Sequence, residues 1–292
     1  MSFRTVYITE RCRLSYENGH MVVRQADQIT IHLSEIDVVV VETTAAYISS
    51  YLLAELARAK VPVLFCDLQH KPAGQYVPLY AAHDSSRRVR EQAMWDEDTS
   101  RELWRKIIQS KIKNQAKVLR ILGDSRGSML EEYAENVLPG DVSNREGHAA
   151  KVYFNALFGM GFSRDDDCGI NACLNYGYAI LLAWVSREIS SRGYLTQLGI
   201  NHKNDYNHFN LSCDFMEPFR PVIDLFVAQN PDLELTKNAK IRLLNLFSEY
   251  HEFDNGNYRL SSILGLSVKT NLGIMCGRID MEDYLEFELY EG

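Results

Sequence analysis

Residues 61–120 read VPVLFCDLQH KPAGQYVPLY AAHDSSRRVR EQAMWDEDTS RELWRKIIQS KIKNQAKVLR, and the fold turns on a change of texture inside them. Val61–Phe65 is a short apolar run of the kind that forms a strand. Lys71-Pro72-Ala73-Gly74 and Pro78 then break the pattern. From about Arg87 onward the apolar residues recur at helical spacing: Trp104, Ile107, Ile108, Ile112 and Val118 stand among Lys and Arg. This divides the chain into a strand-rich part, 1–80, and a helical part, 81–292. The fold class expected is α+β, a small β-rich, sandwich-like N-terminal domain followed by a larger all-α domain.

Working back toward the N-terminus, Arg4–Thr9 and Leu14–Tyr16 are β-prone, and Asn18-Gly19 before Met21-Val22-Val23 signals a hairpin, since both turn residues tolerate φ > 0. Gln28–Leu33 alternates, with Ile29, Ile31 and Leu33 on one face. Val38–Val41 is a continuous apolar run, the signature of a strand covered on both faces. Ile48–Ala59 has helical spacing. Working forward, Ser128–Leu138, Glu146–Leu157, Ile170–Ile189, Leu211–Ala228 and Thr236–Tyr250 read as further helices. Pro218 and Pro221 cannot both sit in a helix interior, so the fourth of these begins near them or kinks.

The chain has 292 residues and 46% apolar content, enough for a substantial core and against a disordered or fibrous chain. Six scattered cysteines without a C-x-x-C pair argue against a zinc ribbon and for reduced thiols in a cytosolic protein. No secretory signal opens the chain, and Tyr178–Val185, its most apolar stretch, is too short to span a bilayer. The net charge of −8 disfavours a nucleic-acid partner at first sight. It is distributed unevenly. Residues 87–126 hold eleven basic residues (87, 88, 90, 101, 105, 106, 111, 113, 117, 120, 126) and six acidic ones, whereas 280–291 holds six acidic residues and no basic one. A basic track on an acidic body is therefore expected.

Three segments carry candidate chemistry. In Ser143-Asn144-Arg145-Glu146-Gly147-His148, Ser143 and Glu146 fit a capping box, and Glu146 is also a carboxylate at the open end of a helix. The run 198–210, LGINHKNDYNHFN, suits neither helix nor strand and brings His202 and His208 close together. In Cys213-Asp214-Phe215-Met216-Glu217-Pro218-Phe219-Arg220, the two carboxylates share a helical face with apolar residues. That is costly unless they are paired, with Arg220 as the near partner, or bind a cation. Glu, His and a Glu/Asp pair make a donor set for Mg²⁺ or Mn²⁺. Asp165-Asp166-Asp167 is a competing acidic cluster, read as loop charge.

These segments, in this order, resemble the CRISPR-associated endonuclease of spacer acquisition, the adaptation integrase, in its type II subtype A branch. The resemblance runs through NREGHAAKVYFNALFG (144–159), INACLNYGYAILL (170–182) and LGINHKNDYNHFNLSCDFMEPFRPVID (198–224). Position by position it implies that Glu146, His202 and Glu217 are the catalytic residues and metal ligands, with Asp214 as a possible auxiliary. It places Glu at 217 where some members carry Asp, and matches His202 rather than His208. It further implies a Mg²⁺- or Mn²⁺-dependent DNA endonuclease and integrase in the cytoplasm, joining prespacer 3′-hydroxyl ends into the CRISPR repeat. The expected partners are prespacer and repeat/leader DNA, a homodimer formed through the N-terminal domain, and a small CRISPR-associated partner dimer completing a heterohexameric integrase. Other type II CRISPR proteins are further expected partners. The alternatives are a purely hydrolytic metallonuclease and a non-catalytic DNA-binding scaffold.

Overall fold

The computed structural model describes residues 4–68, 72–76, 82–231 and 233–289. Strands fill its first part: β1 (Arg4–Ile8), β2 (Cys12–Glu17), β3 (His20–Arg24), β4 (Gln28–His32), β5 (Ile36–Val41) and β6 (Ala46–Ile48). Helix α1 (Ser50–Arg58), β7 (Val63–Cys66) and β8 (Pro72–Tyr76) follow. They form two four-stranded sheets, ordered β1-β5-β7-β8 and β4-β3-β2-β6. The β2–β3 hairpin turns on Asn18 (φ 46°) and Gly19 (φ 84°), the positive-φ pair its sequence requires. Ser49 caps α1 by accepting from the Leu52 N–H.

β5 is covered on both faces, as its unbroken valines imply. Val39 and Val41 face the core of the strand-rich part with Leu14, Leu52 and Leu56. Val38 and Val40 face a second core built from the helices. β4 departs from expectation. Its alternation is real, but Ile29 is 54% exposed, because β4 is an edge strand paired only to β3.

The helices are α2 (Ser85–Ala93), α3 (Glu97–Ile121), α4 (Gly127–Glu135), α5 (Arg145–Phe158), α6 (Gly169–Ser191), α7 (Asn210–Met216), α8 (Arg220–Ala228) and α9 (Lys237–Asn245). The hairpin β9 (Tyr250–Phe253) and β10 (Gly256–Arg259) comes next, then α10 (Leu260–Met275). α6, apolar nearly all round, is the central helix and packs against α7, α8, α9 and α10. The helix expected over 211–228, with a start or kink near its prolines, is α7 and α8, joined by one tight turn at Glu217–Phe219. Pro218 and Pro221 remove the N–H groups that would continue the ladder. The helix expected to reach Tyr250 stops at Asn245, and the β9–β10 hairpin follows, turning on Asp254 and Asn255 in left-handed conformation. The expected division near residue 80 lies outside the described residues.

The acidic C-terminal segment is a docked strap. Phe287 and Leu289 are buried, and the Phe287 ring meets Phe219 at 4.6 Å. Asn114 of α3 donates to the Phe287 carbonyl (2.8 Å) and accepts from the Leu289 N–H (2.8 Å). Glu286 and Glu288 face outward to Lys113 (2.8 Å) and Lys117 (3.9 Å). The basic track expected over 87–126 is largely neutralised by such pairs: Arg87, Arg88, Arg105, Lys111, Lys113, Lys117, Arg120 and Arg126 all hold carboxylates. Among the described residues only Arg90, Arg101 and Lys106 of the eleven have no ion pair. Side chains from elsewhere in the chain supply several of the partners, which a window of sequence does not reveal.

Candidate functional site

The site assembles where α3, α5 and the α7–α8 turn meet. α5 starts differently from the capping box its sequence suggests. Asn144, in left-handed conformation (φ 52°), is the cap and accepts from the Gly147 N–H. The two oxygens of Asp141 accept from the N–H groups of Arg145 (2.8 Å) and Glu146 (3.0 Å). Ser143 contributes no cap; its hydroxyl is buried and makes no hydrogen bond. Because Asp141 and Asn144 satisfy the open end of the helix, the Glu146 carboxylate is spared that task and turns to α3.

There it meets Lys111. This lysine lies on the core face of α3, four residues after Ile107 and three after Ile108, and is 7% exposed. Its Nζ donates to Glu146 Oε1 at 2.6 Å and sits 2.5 Å from Glu217 Oε2. Glu217 Oε2 is buried and not aligned for a hydrogen bond with that ammonium. Glu217 Oε1 accepts from Arg220 at 2.8 Å, the partner expected from sequence. Burial alone would raise the Glu217 pKa, but the charges of Arg220 and Lys111 outweigh it and bring the carboxyl down to about 2. Burial would strip the proton from Lys111, yet Glu217 and Glu146 raise its affinity and keep it a cation. Behind them the Arg220 guanidinium lies over the Tyr178 ring (4.2 Å), and the Tyr178 hydroxyl donates to Asp224. Burial pushes the Asp224 carboxyl up to about 6.

His202 is placed by Asp214. The Asp214 carboxylate is fully buried and takes four hydrogen bonds. Oδ2 accepts from the N–H groups of Ile200 (2.7 Å) and Asn201 (3.2 Å), and Oδ1 from the His202 N–H (3.1 Å) and His202 Nδ1 (2.6 Å). The structure thus gives Asp214 a different task from the auxiliary ligand expected: its oxygens are spent on folding the loop and fixing one imidazole tautomer, with Nε2 left for chemistry. The hydrogen bond to Asp214 raises the His202 pKa above the usual imidazole value against the effect of burial, and the charges of Glu217 and Glu146 add to the rise. Gly199 is required here: a Cβ would lie 2.4 Å from the His202 carbonyl and 2.7 Å from Asp214 Oδ2. Gln92 of α2 ties down the approach to the loop with bonds to the carbonyls of Leu195 (2.8 Å) and Leu198 (3.0 Å). Trp104 backs the imidazole edge-on at 5.6 Å.

A cleft of about 550 Å³ opens beside His202, lined among others by Trp95, Ser100, Asn207 and His208. His208 is exposed there, and its backbone carbonyl accepts from Thr196. Asp165, Asp166 and Asp167 are exposed loop residues.

The structure therefore brings Glu146 and Glu217 together, with His202 alongside. Among the described residues no three His, Cys, Asp or Glu side chains already form a closed cage; the two carboxylates meet across Lys111 instead. The donor set fits a hard divalent cation in kind: two carboxylates already converge on one cationic centre, with an imidazole nitrogen nearby. Lys111, Asp141, Gln92 and Trp104 went unassigned in the sequence. For Lys111 a signal existed: a lysine at core spacing on a helix needs a buried acid.

The family model for CRISPR associated protein Cas1 matches residues 6–237. The CRISPR-associated endonuclease Cas1 of Neisseria meningitidis serogroup C is 38% identical over 229 residues, covering 78% of this chain and 75% of that relative. Among solved structures, a casposase bound to an integration product superposes with a TM-score of 0.80 at 18% identity, covering 99% of this chain and 95% of the other. A chain of a Cas6-RT-Cas1–Cas2 complex reaches 0.76 at 17% identity, covering 99% of this chain and 36% of the other. With helices and strands arranged as in those folds and a family match over most of its length, this chain belongs to the CRISPR-associated protein Cas1 family.

Proposed function

We propose that the chain is a divalent-metal-dependent DNA endonuclease and integrase of CRISPR adaptation, acting in the cytoplasm. In this reading it joins prespacer 3′-hydroxyl ends into the CRISPR repeat by direct transesterification. The observation that carries it is the convergence of Glu146 and Glu217 on one cationic centre beside an imidazole whose tautomer Asp214 fixes. Family membership supports the same reading, and the curated relative is itself described as an endonuclease.

Glu146, Glu217 and the Nε2 of His202 would hold Mg²⁺ or Mn²⁺. When bound, that ion supplies positive charge to a phosphodiester undergoing in-line substitution. The chain's own residues do the rest. Asp141 and Asn144 fix Glu146, Arg220 fixes Glu217, and Asp214 orients His202 for binding or proton transfer. The 3′-hydroxyl oxygen forms a bond to phosphorus as the repeat's own P–O bond breaks. The hydroxyl proton leaves and the departing oxygen gains one, so one phosphodiester replaces another and no energy source is consumed. A homodimer through residues 1–80 and a small Cas2-type partner dimer complete the proposed assembly, with 81–292 holding metal and DNA. Solved neighbours described as Cas1–Cas2 complexes support that partner. The subtype A assignment rests on the motifs of 144–224.

The test supplies a duplex with free 3′-hydroxyls, a repeat-containing plasmid, Mn²⁺ and the small partner. Joined product is expected, and nicked plasmid without joining would favour the hydrolytic alternative. Glu146→Ala and Glu217→Ala should each lower joining by about 100-fold or more. Joining that survives both would overturn the site assignment.

A further inference from the structure

Lys111 has no role in the chemistry proposed above, yet it occupies the centre of the site. We infer that Lys111 is a resident counter-ion that holds Glu146 and Glu217 together and gives up its place to the divalent cation, so the metal enters by exchange. The inference rests on the metal-dependent reading of the site.

Three observations lead there. First, the ammonium contacts both carboxylates, at 2.6 and 2.5 Å, and so takes the position where their oxygens converge. A buried and a half-buried carboxylate this close to one centre repel each other unless a cation stands between them. Second, charge balances without a metal: Glu146 and Glu217 are offset by Lys111 and Arg220. A dication added with Lys111 in place would leave two uncompensated positive charges in a mostly buried site, which low dielectric makes costly. If the ammonium withdraws, the excess among these four groups falls to one, and the Asp214 carboxylate bound to His202 offsets it. Third, an exit exists. Glu217 is 3% exposed in its side chain, but Glu146 is 29% and His202 40%, so the cluster opens on the Glu146 and His202 side. Four flexible methylenes allow the lysine head to move without disturbing α3.

The experiment titrates Mn²⁺ into the metal-free full-length chain by calorimetry and compares wild type with Lys111→Met, which keeps the length of the side chain and removes the competing charge. Mn²⁺ should bind Lys111→Met at least tenfold more tightly. The variant's melting temperature should fall below wild type in chelator and recover with saturating Mn²⁺. Amine acylation read by mass spectrometry tests the wild-type chain directly. Lys111 should be protected in chelator and become labelled with Mn²⁺, while the half-exposed Lys113 stays constant. This second measurement decides the matter if Lys111→Met does not fold. Equal or weaker Mn²⁺ binding by the variant, or Lys111 labelling indifferent to Mn²⁺, overturns the exchange while leaving the metal reading intact. No Mn²⁺ uptake by either protein overturns both.

Discussion

Asp214 shows how one buried carboxylate can organise a polar loop from beneath it. Both its oxygens accept, so an amide at 214 would point an N–H group at backbone donors. Asp214→Asn should therefore lower joining about 10- to 100-fold, the usual cost of losing the partner that orients a ligand histidine. Because the Asp214 bond raises the His202 pKa, the variant's imidazole should lose its proton at lower pH. The acidic limb of the pH–rate profile should move in the same direction. Asp224 gives a second test, of stability. Its folded pKa, about 6, lies above its unfolded value. The protonated acid's contribution is thus fully present below about pH 4 and lost as pH rises through 6, by about 3 kcal/mol at most. Urea unfolding of Asp224→Asn should lack that slope, so the variant gains on wild type between pH 4 and 7. Glu146, His202 and Glu217 stood out in sequence as candidates through the three segments that carry the resemblance, and the structure brings the two glutamates onto Lys111. Asp141 did not stand out, because its cap depends on the left-handed turn at Asn144, and a capping box at Ser143 explained the same letters equally well.

At the scale of elements, α3 and the C-terminal strap act together. Asn114 donates both to the Phe287 carbonyl and to the carbonyl of Pro218, the residue after Glu217. The strap is thereby linked to the turn that carries a site carboxylate. Phe287→Ala should cost about 3–5 kcal/mol of stability, measured by denaturant unfolding. α6 is packed as closely. Alanine at a mid-helix glycine normally stabilises by about 1 kcal/mol. At Gly177, however, the new Cβ would lie 2.4 Å from Ile223 Cγ2. Gly177→Ala should instead destabilise by about 1–3 kcal/mol, the cost of overpacking. Helical spacing revealed most of these elements. The two prolines marked the break at Glu217–Phe219, but nothing marked the β9–β10 hairpin, whose mostly polar residues carry no alternation to read.

For the whole molecule, the order of strand-rich and helical parts was plain from the texture change across residues 61–120. The charge map was not. A +5 excess over 87–126 is largely cancelled by carboxylates that fold back onto it, including those of the strap. DNA affinity should therefore depend on Arg90, Arg101 and Lys106 more than on Lys113 and Lys117. Neutralising the first three together should weaken binding and lower the salt slope by about one for each phosphate left without its cation. Filter binding across a salt series would measure it, and an unchanged slope would exclude these residues as phosphate ligands. β5 has a subtler consequence. Four successive valines present the same shape to two cores, so a slip of one residue exchanges valine for valine at three of the four positions and is penalised only at the end of the run. The repeat is mute about its own phase, and the punctuation after it speaks instead. Glu42, one step beyond Val41, is buried and held at 2.5 Å by Lys240 from α9, 198 positions later. The strand's phase is thus marked by the carboxylates at its two ends, Asp37 and Glu42, the second of them held by a lysine 198 positions away.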